Sequence, residues 1–262
     1  MRIKNLFSLE GKVAVVTGAS KGIGEAMARG MAEFGAKVVI SSRKQESVEE
    51  VAEQFKSDGL EATGIACHVA DADQREHLIQ KTVEKYGGVD ILINNAGTNP
   101  YFGPIENMPM SAYQKTMDIN LNAPMELSRL AFPHMKAAGG GSVIHISSIE
   151  GLHASAGFAA YNLSKAGLVM LAQNQAAEWG KDNVRVNVIC PGLVKTKLSR
   201  MLWENEDNQK AFTKNIPLRR MAMPDEMSGL AVFLASGASS YMTGSVLVND
   251  GGILHAPVMT AS

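Results

Sequence analysis

Seven short runs rich in Val and Ile recur along the chain: KVAVVT from 12, KVVIS from 37, ATGIAC from 62, VDILIN from 89, SVIHIS from 142, VRVNVIC from 184 and SVLVN from 245. Runs of this kind belong to strands buried on both faces. Between them lie stretches of helical periodicity, such as IGEAMARGMAEFG, ESVEEVAEQFKSDG and DQREHLIQKTVEKYGG, which end in Gly as helices often do. Alternating strand and helix predicts an α/β fold with a doubly wound, seven-stranded parallel sheet flanked by helices. Ligand then belongs at the carboxyl ends of the strands.

A chain of 262 residues, 45% hydrophobic, can bury one large core. No low-complexity linker or internal repeat divides it, so residues 1–262 read as one domain. The longest irregular stretches, 94–110 and 191 to about 223, both follow strands and are candidate substrate loops. Basic and acidic residues nearly balance, 25 against 26, without a basic stripe, which argues against a nucleic-acid partner. No apolar run approaches the roughly 18 residues of a membrane span, and MRIKNLFSLEGK lacks the apolar core of a signal peptide. The last residues, VMTAS, are not a Ser-Lys-Leu address. The expectation is a cytoplasmic protein without a membrane partner. Cys67 and Cys190 each close an apolar run and read as buried, inert thiols, with no metal site.

After the first run comes TGASKGIG, with Gly18, Gly22 and Gly24 spaced G-x-x-x-G-x-G. A glycine turn between strand and helix allows close backbone approach to a pyrophosphate and aims helix N–H groups at the anion. Ser20 and Ile23 lie in the same turn. The second run ends in Ser41, Ser42 and Arg43, with no acidic residue until Glu46. An acidic residue there would bind the ribose hydroxyls of NAD, whereas Arg43 with Lys21 suits a 2'-phosphate. NADP(H) is therefore preferred and NAD(H) possible; the plainer alternative is two solvated surface cations.

The fourth run leads into NNAG, where Asn95, Ala96 and Gly97 can hold a turn beside a cofactor or form an ordinary Asn-Gly turn. Ser148 follows the fifth run. Tyr161 and Lys165, four apart in FAAYNLSKAG, share one face if the segment is helical. An isolated Tyr-x-x-x-Lys can equally be a solvated helix face. Asn120, in TMDINLNAP, is expected on a helix along the same side of the sheet.

TGASKGIG, NNAG, the set Asn120, Ser148, Tyr161 and Lys165, and the turn PGLVKT together resemble the short-chain dehydrogenase/reductase family over nearly the whole chain. SSRKQESVEE, CHVADADQRE, the turn at 99–103 and LSRMLWENED resemble more closely its NADP-dependent retinol dehydrogenase/reductase group of peroxisomal carbonyl reductases. The resemblance implies a Rossmann fold and hydride transfer between NADP(H) and a ketone, aldehyde or alcohol. Tyr161 would be the general acid/base, Ser148 would hold the carbonyl oxygen, Lys165 would hold the nicotinamide ribose, and Asn120 would keep a water chain. It further assigns His68 and Val69 to the adenine side and Pro191, Gly192, Val194 and Thr196 to the cofactor. From the family's last strand, TGSVLVNDGG, it implies a homotetramer.

A phenol of pKa about 10 needs about 3 units of lowering to trade protons near neutrality, roughly 4 kcal/mol. A cation about 4 Å away at an effective dielectric of about 20 supplies that much, so Lys165 is expected to lower Tyr161, helped by an oxidised nicotinamide. Glu150 and His153 read as rim residues or as a second acid/base pair. Leu202 and Trp203, with Tyr101 and Phe102, point to a small apolar carbonyl or alcohol substrate or to ordinary loop packing. Met201, Met221 and Met223 are candidates for a soft apolar wall. Alternatives are a 3-oxoacyl thioester reductase, a sugar dehydrogenase, or a non-catalytic NADP sensor.

Overall fold

The computed structural model describes residues 3–255; the C-terminal segment read above as lacking a peroxisomal address lies outside them. Seven strands form one parallel sheet: β1 (Val13–Thr17), β2 (Lys37–Ser42), β3 (Ala62–Ala66), β4 (Ile91–Asn94), β5 (Gly141–Ile146), β6 (Val184–Pro191) and β7 (Val246–Asn249). Their order is β3-β2-β1-β4-β5-β6-β7, so the direction of winding reverses between β1 and β4. Val15 pairs with Val39 on one side and Leu92 on the other, which aligns the three strand ends at Thr17, Ser41 and Asn94. A crevice opens where such a reversal occurs.

The connections are α1 (Gly22–Glu33), α2 (Gln45–Ser57), α3 (Ala72–Tyr86), α4 (Met110–Met117), α5 (Ala123–Ala137), α6 (Ala159–Trp179), α7 (Glu206–Thr213) and α8 (Ser228–Ala235). Successive strand residues point to opposite faces. Ala14, Val16, Ile91, Ile93 and Ile144 pack with α1, α2 and α8, while Val15, Leu92 and Val143 pack with α3, α5 and α6. Both faces of the sheet are covered over its central strands, which explains their continuous apolar runs, while the edge strands β3 and β7 are only partly buried. The stretch 191–223 read as irregular contains α7; its polar sequence, EDNQKAFT, carries too few apolar residues to announce a helix. Among the described residues no helix is long and apolar enough to cross a membrane.

At the β3 edge, Gln45 stands in for a missing strand: its Nε2 donates to Gly64 O at 3.2 Å, and Ala66 N donates to its Oε1 at 2.8 Å. Pairing an edge through a side chain blunts its tendency to recruit another chain.

Beneath the crevice runs a buried polar chain that the sequence reading did not single out. His145, on β5, is fully buried; its Nε2 lies 2.8 Å from Gln175 Oε1 and its Nδ1 3.3 Å from Asn94 Nδ2, which also donates to Ser128 Oγ at 3.1 Å. A neutral ring that donates through Nε2 and accepts at Nδ1 satisfies both neighbours. Burial pushes His145 down to about 4, the Gln175 bond raises it, and Lys165 lowers it further. A histidine depressed in the folded state stabilises above its unfolded value of about 6.5 and loses that contribution as pH falls toward about 4, a span of roughly 3 kcal/mol at most. Denaturant unfolding at pH 7 and pH 4.5 should therefore show a smaller acid-induced loss in His145→Asn than in the parent chain. Equal losses would remove His145 as the source.

Candidate active site

The glycine turn follows β1 directly. Gly18 and Gly22 have φ of +64° and +63°, where a side chain would be strained. Gly24 begins the close packing: a Cβ there would lie 2.4 Å from both Gly18 O and Asn95 Nδ2. Asn95 Nδ2 donates to Thr17 O at 2.9 Å and Gly18 O at 3.2 Å, and Thr17 Oγ1 accepts from the N–H groups of Asn95 and Ala96, both at 3.1 Å. Asn95 and Ala96 thus shape the turn from β4, and the Asn95 side chain is occupied in doing so. The N-terminus of α1 begins here, with Lys21 as its N-cap and no side-chain bond closing it.

Around this turn stand the other predicted cofactor residues. Arg43 follows β2, which ends at Ser42, and both Lys21 and Arg43 are exposed. Among the described residues neither has an ion-pair partner. His68 and Val69 follow β3; the His68 N–H donates to Gln74 Oε1 at 2.8 Å, and Val69 O accepts from Arg75 at 2.7 Å. Pro191 ends β6, the Gly192 N–H donates to Asn249 O at 3.0 Å, and buried Val194 bridges to Ala222. Thr196 Cγ2 lies 3.6 Å from where a Gly22 Cβ would be, so the loop after β6 closes over the start of α1. Ser20 is part-exposed in the turn, and Ile23 packs inward against the core.

The acid/base candidates meet on the other side of Gly97. A Cβ on Gly97 would sit 3.6 Å from both Asn120 Oδ1 and Lys165 Nζ. Lys165 is buried on α6, and its Nζ donates to Ile146 O at 2.8 Å and lies 5.6 Å from the centroid of the Tyr161 ring. Ser147 Oγ donates to Lys165 O at 2.8 Å, fastening α6 to the end of β5. The Ser148 side chain lies close enough to Tyr161 to act on its phenol.

Asn120 lies in a π-helical turn, Asp118–Asn122, between α4 and α5, where Ala123 N donates to Asp118 O. The sequence signal for this widening is Pro124, which has no N–H to close an α-helical bond onto the carbonyl of Asn120. Asn120 Oδ1 accepts from Thr98 N at 2.8 Å, and its Nδ2 donates to Thr98 O at 2.9 Å and Ser164 Oγ at 3.0 Å. Its side chain is occupied with Thr98 and Ser164.

The electrostatics differ from the expected lowering of Tyr161 by Lys165. Burial pushes the Tyr161 phenol up to about 12; Ser148 lowers it, while Glu150 and Cys190 raise it. Burial pushes Lys165 down to about 8, opposed by Cys190. Burial outweighs every attraction the protein groups supply, so both side chains are held toward their neutral forms. Cys67 and Cys190 are free and buried, and among the described residues no cluster of His, Cys, Asp or Glu is arranged to hold a metal.

Several loop residues have structural duties. Trp203 Nε1 donates to Thr196 O at 3.0 Å, and Lys195 stands 5.8 Å over its ring, so Trp203 holds the loop in shape. Met221 is buried and faces the core, while Met201 and Met223 are exposed. Tyr101 OH donates to Pro104 O at 2.8 Å. Phe102 meets Phe158 edge-on at 5.0 Å, and Phe158 lies 6.3 Å from the Tyr161 ring. Phe158, three residues before Tyr161, was visible in the sequence but carried no mark of its own.

The chain as a whole is similar to known proteins. The family model described as enoyl-(acyl carrier protein) reductase covers residues 18–254. The Homo sapiens dehydrogenase/reductase SDR family member 4 is 42% identical over 244 residues, 93% of this chain and 88% of that protein. The chain belongs to the short-chain dehydrogenase/reductase family. Among solved relatives, a gluconate 5-dehydrogenase from Burkholderia cenocepacia in complex with NADP and tartrate is 32% identical with a TM-score of 0.93, covering 97% of this chain and 100% of its own. A 7α-hydroxysteroid dehydrogenase complexed with NADH and 7-oxo glycochenodeoxycholic acid is 31% identical with a TM-score of 0.92, covering 96% and 98%. This short-chain dehydrogenase/reductase is accordingly an oxidoreductase.

Gly24→Ala should test the turn as a packed unit. With a new Cβ 2.4 Å from a backbone oxygen, the expected cost is about 1–3 kcal/mol, read as a Tm lowered by several degrees together with weakened dinucleotide binding. An unchanged Tm and unchanged affinity would show that the turn relaxes freely.

Proposed function

We propose that the protein is an NADP(H)-dependent oxidoreductase that interconverts apolar ketones or aldehydes with their alcohols, using Tyr161 as general acid/base. The observation that carries this reading is the convergence on one point of the Tyr161 phenol with Ser148 acting on it, a buried Lys165 and an apolar flank of Phe158 and Phe102. Substrate loops at 94–110 and 191–223, within one domain, border that point.

The turn fits a dinucleotide: Gly24 permits close packing, the α1 N-terminus is uncapped by a side chain, and Lys21 and Arg43 stand exposed without ion-pair partners among the described residues. Bound there, the cofactor would supply the hydride and, when oxidised, a positive charge that opposes the upward push on Tyr161. Gly18, Ser20, Lys21, Gly22, Ile23 and Gly24 would hold its phosphates, Ser42 and Arg43 the 2'-phosphate, and His68 and Val69 the adenine side. Asn95, Ala96, Gly97, Pro191, Gly192, Val194 and Thr196 would shape the nicotinamide end.

Tyr161 donates its proton to the carbonyl oxygen in reduction and takes it back in oxidation. Ser148 hydrogen-bonds that oxygen and fixes its position. Lys165 holds the ribose and steadies the phenolate form, since its ammonium gains a partner when the phenol ionises. Asn120 orders the path by which the proton of Tyr161 is replaced, its carbonyl released by Pro124.

A homotetramer in the cytoplasm, without nucleic-acid or membrane partners, accompanies this reading. Edge strand β7 exposes Val248 at 41%, and Leu163 and Met170 stand exposed on α6 at 53% and 57%. A second reading, a sugar-acid dehydrogenase, is favoured by the gluconate 5-dehydrogenase relative.

Tyr161→Phe should lower kcat by about a thousandfold or more while cofactor binding persists; retained turnover would remove the assignment. Lys165→Ala should weaken cofactor binding together with turnover. Measured by absorbance with each cofactor in parallel, the parent chain should prefer NADPH to NADH. Arg43→Ala and Lys21→Ala should narrow that preference by about tenfold each, as expected for lost charge-assisted bonds. Preference for NADH would assign both cations to solvent.

A further inference from the structure

Two residues beyond Ser148, Glu150 holds a carboxylate between the turn that carries Ser148 and the helix that carries Tyr161. Ser148 Oγ accepts from the Glu150 N–H at 3.1 Å, which places Glu150 in the turn that presents the Ser148 hydroxyl. The Glu150 side chain is 18% exposed, and its oxygens are engaged on two sides. Oε1 accepts from Ser155 Oγ at 3.0 Å, with His153 Nε2 at 3.9 Å. Oε2 accepts from Asn162 Nδ2 at 3.0 Å, in the amide orientation that also lets Asn162 Oδ1 accept from Ser155 N at 3.0 Å. Asn162 follows Tyr161 on α6.

Glu150 is therefore fastened between the Ser148 turn and α6 and cannot swing into solvent without abandoning these bonds. Its charge reaches the Tyr161 phenol, which it pushes up. A fixed charge that acts on the phenol oxygen also acts on whatever a substrate places beside that oxygen, and a like charge introduced into a partly desolvated site is opposed.

We propose that Glu150 sets the charge selectivity of the enzyme, favouring carbonyl compounds without a carboxylate next to the reacting group and discriminating against those that carry one. This rests on the carbonyl-reducing function proposed above and adds to it a substrate class: neutral ketones and aldehydes, including esters of 2-oxo acids in place of the free acids.

The test compares a matched pair, ethyl benzoylformate and benzoylformate, which share the reacting ketone and differ in charge. With NADPH, the parent chain should favour the ester by tenfold or more in kcat/KM. Glu150→Gln keeps the size and an accepting oxygen, and should shrink the ratio by about tenfold, equivalent to about 1.4 kcal/mol. The ratio between the two substrates within each variant is the readout, because removing the charge also acts on Tyr161 and moves both rates together. Ser155→Ala loosens the same brace without removing the charge and should leave the ratio in place. An unchanged ratio in Glu150→Gln, or equal losses on both substrates in both variants, would reduce Glu150 to a structural brace and overturn the proposal. A parent chain that prefers the acid would also overturn it.

If neither substrate is reduced with NADPH or NADH, the carbonyl-reducing function fails separately, and charge selectivity is read from binding. Benzoate and benzamide titrated calorimetrically in the presence of NADP+ then decide. A gain for benzoate alone in Glu150→Gln supports the proposal, and the absence of that gain overturns it.

Discussion

A parallel sheet covered on both faces leaves its polar business at the strand ends, and in this protein one clamp determines what those ends look like. Asn95, leaving β4, spends its amide on the carbonyls of Thr17 and Gly18, while Thr17 returns its hydroxyl to the N–H groups of Asn95 and Ala96. These bonds join β4 to the glycine turn after β1 across the point where the sheet reverses. The turn can then pack so closely that Gly24 has no space for a methyl group. Everything that faces the crevice, from Lys21 to Thr196, is positioned against this junction.

The chemical half of the site depends on a costlier arrangement. Lys165 and Tyr161 are both displaced toward neutrality by burial, the ammonium to about 8 and the phenol to about 12. Each would therefore gain from an added charge of opposite sign, which makes the pair responsive to whatever binds beside it. The Lys165 bond to Ile146 O and the Ser147 bond to Lys165 O keep that responsiveness in a rigid frame. Below it, the chain Gln175–His145–Asn94–Ser128 uses neutral groups to join α6, β5, β4 and α5. A neutral His145 in that position adds no second positive charge near Lys165.

Polar side chains near the site divide into those with free capacity and those already committed. Asn95, Asn120 and Trp203 resemble ligand-binding residues by type, yet their bonds are directed to Thr17 and Gly18, to Thr98 and Ser164, and to Thr196. They act by holding loops. Lys21 and Arg43 have no ion-pair partner among the described residues and keep their charge available to an anion. Glu150 belongs to both groups, because its bonds hold it in place while its charge continues to act on Tyr161.

The sequence by itself determined the seven strands, their parallel winding, the glycine turn and the neighbourhood of Tyr161 and Lys165. Each is written in local terms: apolar runs buried on both faces, positive-φ glycines, and the i to i+4 spacing of a helix. Even the π-helical turn at Asn120 had a local trace in Pro124. Tertiary structure alone decided the direction of the Tyr161 shift, because burial and the groups at Ser148, Glu150 and Cys190 act on the phenol together in a way that no spacing encodes. It also decided that Met221 faces the core and that Phe158 stands beside Tyr161. The same holds for the Gln175–His145–Asn94 chain and the binding of Glu150 between Ser155 and Asn162, which join residues on separate elements. Such contacts depend on how helices seat against the sheet, and a linear pattern carries the period of an element without the address of its neighbours.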